Sequence, residues 1–99
     1  MTEALHRAGG RIFAQLWHMG RIVHPSFLNG AAPLSSVATP APGQAHTYDG
    51  KQDYTTPRAA TKDDIARVLD DYERATRNAI AAGFDGVQLH AANGYLIDQ

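Results

Sequence analysis

Three side chains near one end of this sequence carry most of the chemistry it offers. The stretch Gly86-Val87-Gln88-Leu89-His90-Ala91-Ala92-Asn93-Gly94-Tyr95-Leu96-Ile97-Asp98-Gln99 sets an imidazole at His90, an amide at Asn93 and a phenol at Tyr95. An imidazole and an amide side by side can hydrogen-bond one substrate oxygen, and a nearby phenol can donate a proton. Gln15 is a fourth candidate, a polar side chain near the end of the otherwise apolar run Arg11 to Trp17.

These groups need a scaffold, and the hydrophobic pattern outlines one. Thr2 to Gly10 reads as the tail of a helix that stops at Gly9-Gly10. Such a helix is too short to be stable alone, so Met1 is expected to lie inside a longer parent helix. Residues 11–17 alternate as a strand, with Ile12, Ala14 and Leu16 on one face and Phe13, Gln15 and Trp17 on the other. Apolar residues on both faces suit a buried parallel sheet. Residues 18–60 are rich in Pro, Gly, Ser and Thr and form a long loop, with a small hairpin at Thr47-Tyr48-Asp49-Gly50-Lys51. The scattered apolar residues Phe27, Leu28, Leu34, Val37, Tyr48 and Tyr54 favour a loop packed over something.

Residues 61–82 form the clearest helix. Ile65, Val68, Leu69, Tyr72, Thr76, Ala79 and Ile80 recur at three- and four-residue spacing. Thr61 suits the N-cap, and Asp63/Arg67, Asp70/Arg74 and Glu73/Arg77 can pair along the solvated side. After Gly83 a second strand covers residues 86–90, with Val87 and Leu89 alternating against Gln88 and His90. Strand, long loop, helix, strand is a βαβ unit, which builds a parallel sheet with a right-handed crossover. In barrels made of such units the chemistry sits at the C-terminal strand ends. Alternation puts Gln15 and His90 there, on the face shared with Phe13 and Gln88.

Composition narrows the function classes. With 99 residues, 43% hydrophobic and 19% charged, the chain reads as globular. A formal net charge of −1 gives no electrostatic footprint for nucleic acid or an anionic membrane. No apolar run approaches a membrane span, and the first ten residues lack a signal-peptide pattern, so a cytoplasmic location is expected. There is no cysteine, hence no disulfide framework and no thiolate metal site. His18 and His24 could join His90 on a metal, but no carboxylate or further ligand has convincing spacing, and no metal is expected. Oligomeric state is left open.

Two motifs carry a resemblance. Gly10-Arg11-Ile12-Phe13-Ala14-Gln15-Leu16-Trp17-His18-Met19-Gly20-Arg21 closely resembles the third-strand segment of the old yellow enzyme family of flavin-dependent ene-reductases. Ala82-Gly83-Phe84-Asp85-Gly86-Val87-Gln88-Leu89-His90 and the residues to Gln99 resemble its fourth-strand segment. Thr56-Pro57-Arg58-Ala59 and the helix fit the same order. The resemblance implies α/β architecture: part of a (β/α)₈ TIM barrel, from strand 3 to strand 4, holding FMN at the C-terminal rim. It implies a flavin reduced by NAD(P)H, which passes hydride to an activated alkene such as an enone; nitro compounds and nitrate esters are further candidates.

On that resemblance, Gln15 hydrogen-bonds the flavin's pyrimidine edge, and His90 also borders the cofactor. Trp17 lines the substrate side, His90 and Asn93 bind the substrate oxygen, and Tyr95 is the general acid. Some bacterial relatives carry a second histidine at the position of Asn93, which bears on substrate preference. The family's phosphate-binding groups and its flavin-polarising arginine have no counterpart in this sequence. Since eight βα units need roughly 250 residues, these two strands are an internal fragment of the barrel. Each residue also has a plainer reading. Trp17 serves equally as core, Tyr95 can pack with its hydroxyl in water, and Arg21 can contact cofactor or brace the loop. The alternative function is a noncatalytic truncated remnant, inactive alone. A different barrel enzyme using His90 and Asn93 on a phosphate or metal is a third, weaker reading.

Overall fold

The computed structural model describes residues 1–99. In chain order the elements are helix α1 (Thr2–Arg7), strand β1 (Phe13–Leu16), a 3₁₀ turn (Pro25–Phe27), strands β2 (Leu34–Ser35), β3 (Gln44–Thr47), β4 (Gly50–Asp53) and β5 (Arg58–Ala59), helix α2 (Lys62–Ala81) and strand β6 (Gly86–Leu89). They form two compact units, one of Met1–Leu16 with Lys62–His90 and one of Trp17–Thr61 with Ala91–Gln99.

The first unit is the βαβ core. β1 and β6 pair in parallel, with Phe13 opposite Gly86, Ala14 opposite Val87, Gln15 opposite Gln88 and Leu16 opposite Leu89. α2 packs against both strands. Ala79 is buried, and Val68, Tyr72, Ala75 and Thr76 are half-buried. The wide apolar stripe read from spacing is only partly covered. Ile65, Leu69 and Ile80 remain 53%, 64% and 52% exposed. Two strands make a narrow floor, and Leu69 and Ile80 lie on the margin of the stripe away from Ala75. The same geometry corrects two ion pairs. Arg67 pairs with buried Asp64 at 2.6 Å rather than with Asp63, and Arg74 pairs with Asp71 rather than Asp70. Asp64 lies on the covered side of the helix, where a carboxylate needs a partner. The Glu73/Arg77 pair is present.

The sheet is not apolar-covered on both faces. Phe13 is 62% exposed, and Gln15 and Gln88 share its open face. Ile12, Ala14 and Leu16 are half-buried on the other face.

α1 has six residues, too few to hold without tertiary support. Thr2 Oγ1 donates to the Ala82 carbonyl at 2.9 Å, beyond the last turn of α2. His6 Nε2 lies 2.8 Å from Asp85 Oδ2, and the same oxygen accepts the Ile12 amide at 2.8 Å. Arg11 approaches the other carboxylate oxygen at 3.5 Å. Asp85 therefore ties α1 to the N-terminal ends of both strands.

The second unit holds the long loop, which contains more structure than its composition suggests. β2 and β5 pair in parallel over two residues, and β3 and β4 form an antiparallel hairpin from Gln44 to Asp53. Thr47 Oγ1 donates to the Gly50 carbonyl at 2.8 Å and closes the turn. The buried residues are small or cyclic: Gly20, Pro33, Ser35, Ala41, Ala45 and Pro57. Of its large apolar residues Leu34 and Tyr54 are half-buried, and four stay at the surface. Phe27, Leu28, Val37 and Tyr48 are 47%, 37%, 55% and 95% exposed, with Phe27 and Tyr48 in contact at the surface. Close backbone pairing within the loop leaves room inside only for small side chains.

The His6 and Ile12 hydrogen bonds hold the Asp85 carboxyl below its ordinary value, with Arg11 adding to the effect. A lowered folded-state pKa stabilises above the unfolded value of about 3.9, and the contribution is lost as pH falls through the folded value. Asp85→Ala is expected to lower the urea midpoint at pH 7. Its difference from wild type should close as the solution is acidified below about pH 4. A gap that stays constant on acidification would show that the carboxylate charge is not what stabilises.

Candidate active site

In the first unit, parallel register brings together Gln15 and Gln88, whose side chains project from paired positions. Gln15 Nε2 donates to Gln88 Oε1 at 3.0 Å. Both are exposed at the surface of the open face. The His90 amide donates to the Leu16 carbonyl at 2.9 Å, extending the ladder one step past β6. His90 is half-buried, two residues beyond Gln88, and so belongs to the same face. Gln15, Gln88 and His90 thus line one face toward the C-terminal strand ends.

The second unit holds Trp17, Asn93 and Tyr95. The Trp17 and Tyr95 rings stack with centroids 4.9 Å apart and planes 14° from parallel. Trp17 is 50% exposed, so this is a surface stack and not a buried core. Asn93 adopts φ of 58° and Gly94 φ of 79°, both left-handed. Asparagine tolerates that region, and glycine enters it without steric cost. Two successive left-handed residues reverse the chain between Asn93 and Tyr95, and the Gly94 amide is caught by Asp98 Oδ2 at 2.8 Å. His90 and Asn93 fall in different units.

The remaining candidates have local roles. His18 Nδ1 accepts the Gly20 amide at 3.0 Å, and His24 Nδ1 accepts the Ser26 amide at 3.1 Å. Arg21 braces the loop by donating from Nη1 to the Thr39 carbonyl at 2.9 Å. No three His, Asp, Glu or Cys side chains gather where they could hold a metal ion.

Parallel strands joined through a helix, with polar groups at their C-terminal ends, form one βαβ step of the kind that builds α/β barrels. The old yellow enzyme homologue from Zymomonas mobilis superposes with a TM-score of 0.90 and 61% identity, over 98% of this chain and 27% of that one. Morphinone reductase superposes with a TM-score of 0.85 and 40% identity, over 96% of this chain and 27% of that one. Among curated relatives, 12-oxophytodienoate reductase 1 of Oryza sativa subsp. japonica is 44% identical over 100 residues, and flavin oxidoreductase hxnT of Emericella nidulans is 46% identical over 99. Each match covers 100% of this chain and 25% of the relative, so the chain spans about a quarter of their length. The NADH:flavin oxidoreductase / NADH oxidase family model matches residues 1–99, and the chain belongs to that family.

The donor set on the open face fits the edge of a flavin. A ring edge that alternates donors and acceptors needs both from the protein, and the Gln15–Gln88 pair presents both without introducing charge. Gln88 was legible only as sharing a face with Gln15 and His90; the register makes it a partner. Gln99 carried no signal at all. Replacing Gln88 with leucine removes one hydrogen bond from Gln15. In the flavoprotein that carries this segment, that loss is expected to weaken FMN binding roughly 2- to 12-fold in a flavin fluorescence titration. An unchanged dissociation constant would mean that Gln15 needs no partner.

Proposed function

We propose that this chain supplies part of the active site of an FMN-dependent oxidoreductase that reduces activated alkenes with NAD(P)H. The observation that carries the reading is the Gln15, Gln88 and His90 face at the C-terminal ends of two parallel strands. Bound FMN would supply the two-electron carrier that takes hydride from the nicotinamide and gives it to the alkene's β-carbon. Gln15, supported by Gln88, holds the flavin edge, and His90 borders it. Trp17 lines the substrate side.

His90 and Asn93 donate hydrogen bonds to the substrate's carbonyl or nitro oxygen. Charge grows on that oxygen as the β-carbon is reduced, so fixed donors favour the transition state over the ground state. Tyr95 donates a proton to the α-carbon, which completes reduction of the double bond. Two relatives are named as reductases of 12-oxophytodienoate and morphinone, names that denote carbonyl compounds, which supports an enone as the substrate class. Nitro compounds and nitrate esters offer comparable oxygens.

The exposed apolar residues Phe13, Leu69, Ile80 and Leu89 favour a companion reading. These 99 residues alone are an inactive piece that works only within a closed barrel.

The test is alkene-dependent NAD(P)H oxidation by the FMN-loaded protein carrying this segment. Tyr95→Phe is expected to slow the alkene-dependent step about 100- to 10,000-fold and leave flavin reduction by NAD(P)H unchanged. No acceleration by any enone would overturn the activity. Wild-type turnover in Tyr95→Phe would remove the phenol from its role. If the 99-residue chain alone binds FMN and turns over, the companion reading is wrong.

A further inference from the structure

We propose that Gln99 is a positioning residue for Tyr95: its amide ties the turn that carries Tyr95 to the loop that follows Trp17. The inference rests on the reading of Tyr95 as proton donor.

Every polar atom of this side chain is used. Gln99 Nε2 donates to the Gly94 carbonyl at 2.6 Å and to the Met19 carbonyl at 3.3 Å. Gln99 Oε1 accepts the Arg21 amide at 3.2 Å. The surroundings fix which way the amide points. Flipped, it would set its NH₂ against the Arg21 N–H and its oxygen against two carbonyls. Gly20 is shaped to this group. Its φ is 60°, it is buried, and a Cβ there would clash with the Gln99 side-chain amide. Main-chain bonds seat the residue as well, with the Gln99 amide on the Tyr95 carbonyl at 2.9 Å and Ser36 Oγ on the Gln99 carbonyl at 2.6 Å.

The two segments that Gln99 joins lead directly to the stacked rings. Gly94 precedes Tyr95, and Met19 lies two residues after Trp17. A backbone bond also links these segments, from the Leu96 amide to the His18 carbonyl at 3.0 Å. Stacking fixes the ring-to-ring distance but tolerates sliding, whereas a three-point amide clamp fixes the backbone from which Tyr95 projects. Proton transfer needs that precision, because small misplacements of a catalytic group cost large factors in rate.

The test compares Gln99→Ala, Gln99→Glu, Tyr95→Phe and the Gln99→Ala/Tyr95→Phe double variant in the FMN-loaded protein. Gln99→Ala is expected to lower kcat for alkene reduction about 10- to 100-fold, with flavin reduction by NAD(P)H unchanged. Acting through the phenol, Gln99→Ala should add no further loss to Tyr95→Phe; multiplicative losses would overturn the proposal. Glutamate keeps the size but faces two carbonyls without donors. Gln99→Glu should therefore be impaired near neutral pH and recover as acid protonates it. Wild-type rates at every pH would reduce Gln99 to a space filler and overturn the proposal. Amide hydrogen exchange gives a readout independent of turnover. Gln99→Ala should speed exchange across Gly94 to Asp98 and leave α2 unchanged, and wild-type protection there would also overturn the clamp. A silent Tyr95→Phe would sink the proton-donor reading instead, while the exchange data would still decide whether Gln99 holds the turn.

Discussion

Asp85 holds Ile12 by both its main chain and its side chain, and the parallel register of the sheet follows from that double grip. The Asp85 amide donates to the Ile12 carbonyl at 2.8 Å, while the Asp85 carboxylate accepts the Ile12 amide at 2.8 Å. Side chains on a strand alternate, so a slip of one residue would turn one strand's entire set over to the opposite face. Gln15 would then lose Gln88, and its amide would compete with Ala14 and Leu16 for the helix-covered side. The same carboxylate reaches His6 and Arg11, so one group sets the register and docks α1.

How much of this could be read from the sequence depends on the range of the forces involved. The 3.6-residue period of α2 and the alternation of β1 and β6 are local, and they located those elements and put Gln15 and His90 on one face. The ion pairs of α2 were misread at two of three positions because spacing cannot tell which of two adjacent carboxylates, Asp63 or Asp64 and Asp70 or Asp71, the arginine will take; only Asp64 is covered by the fold. The loop's apolar residues suggested a loop packed over something, and Leu34 and Tyr54 are half-buried, but Phe27, Leu28, Val37 and Tyr48 stay exposed. The backbone pairs so closely with itself that the buried positions are Gly20, Pro33, Ser35, Ala41, Ala45 and Pro57. Gln99 is the extreme case. Its partners Met19 and Arg21 lie about 80 residues away along the chain, a separation at which pattern carries no information.

The exposed apolar residues of the first unit follow from family membership. Phe13 and the two glutamines occupy the face opposite α2, which in a (β/α)₈ barrel is the interior side, where side chains from all the strands pack in layers. Two strands cannot supply those layers. Ile65, Leu69 and Ile80 lie on the outer ring, where neighbouring helices pack in a closed barrel. A chain spanning a quarter of its relatives' length should leave such residues uncovered, and it does so on both sides of its sheet.

The distribution of charge separates folding from chemistry. Asp85 titrates at the N-terminal strand ends, and five residues of strand, at about 3.3 Å each, place His90 roughly 16 Å away. At physiological ionic strength that is about twice the screening length, so the state of Asp85 reaches His90 weakly through space. Neutral amides tie both clusters of the candidate site: Gln15 on Gln88 in one unit, and Gln99 on Gly94, Met19 and Arg21 in the other, where the Asp98 carboxylate also takes the Gly94 amide. Amides keep their donors and acceptors across the whole range in which carboxylates and imidazoles titrate. Acid can therefore loosen the register at one end of the sheet before it alters the hydrogen-bond pattern of either amide cluster. The amide contacts that hold Gln15 on Gln88 and the Tyr95 turn on the Trp17 loop thus persist across the range in which Asp85 loses its charge.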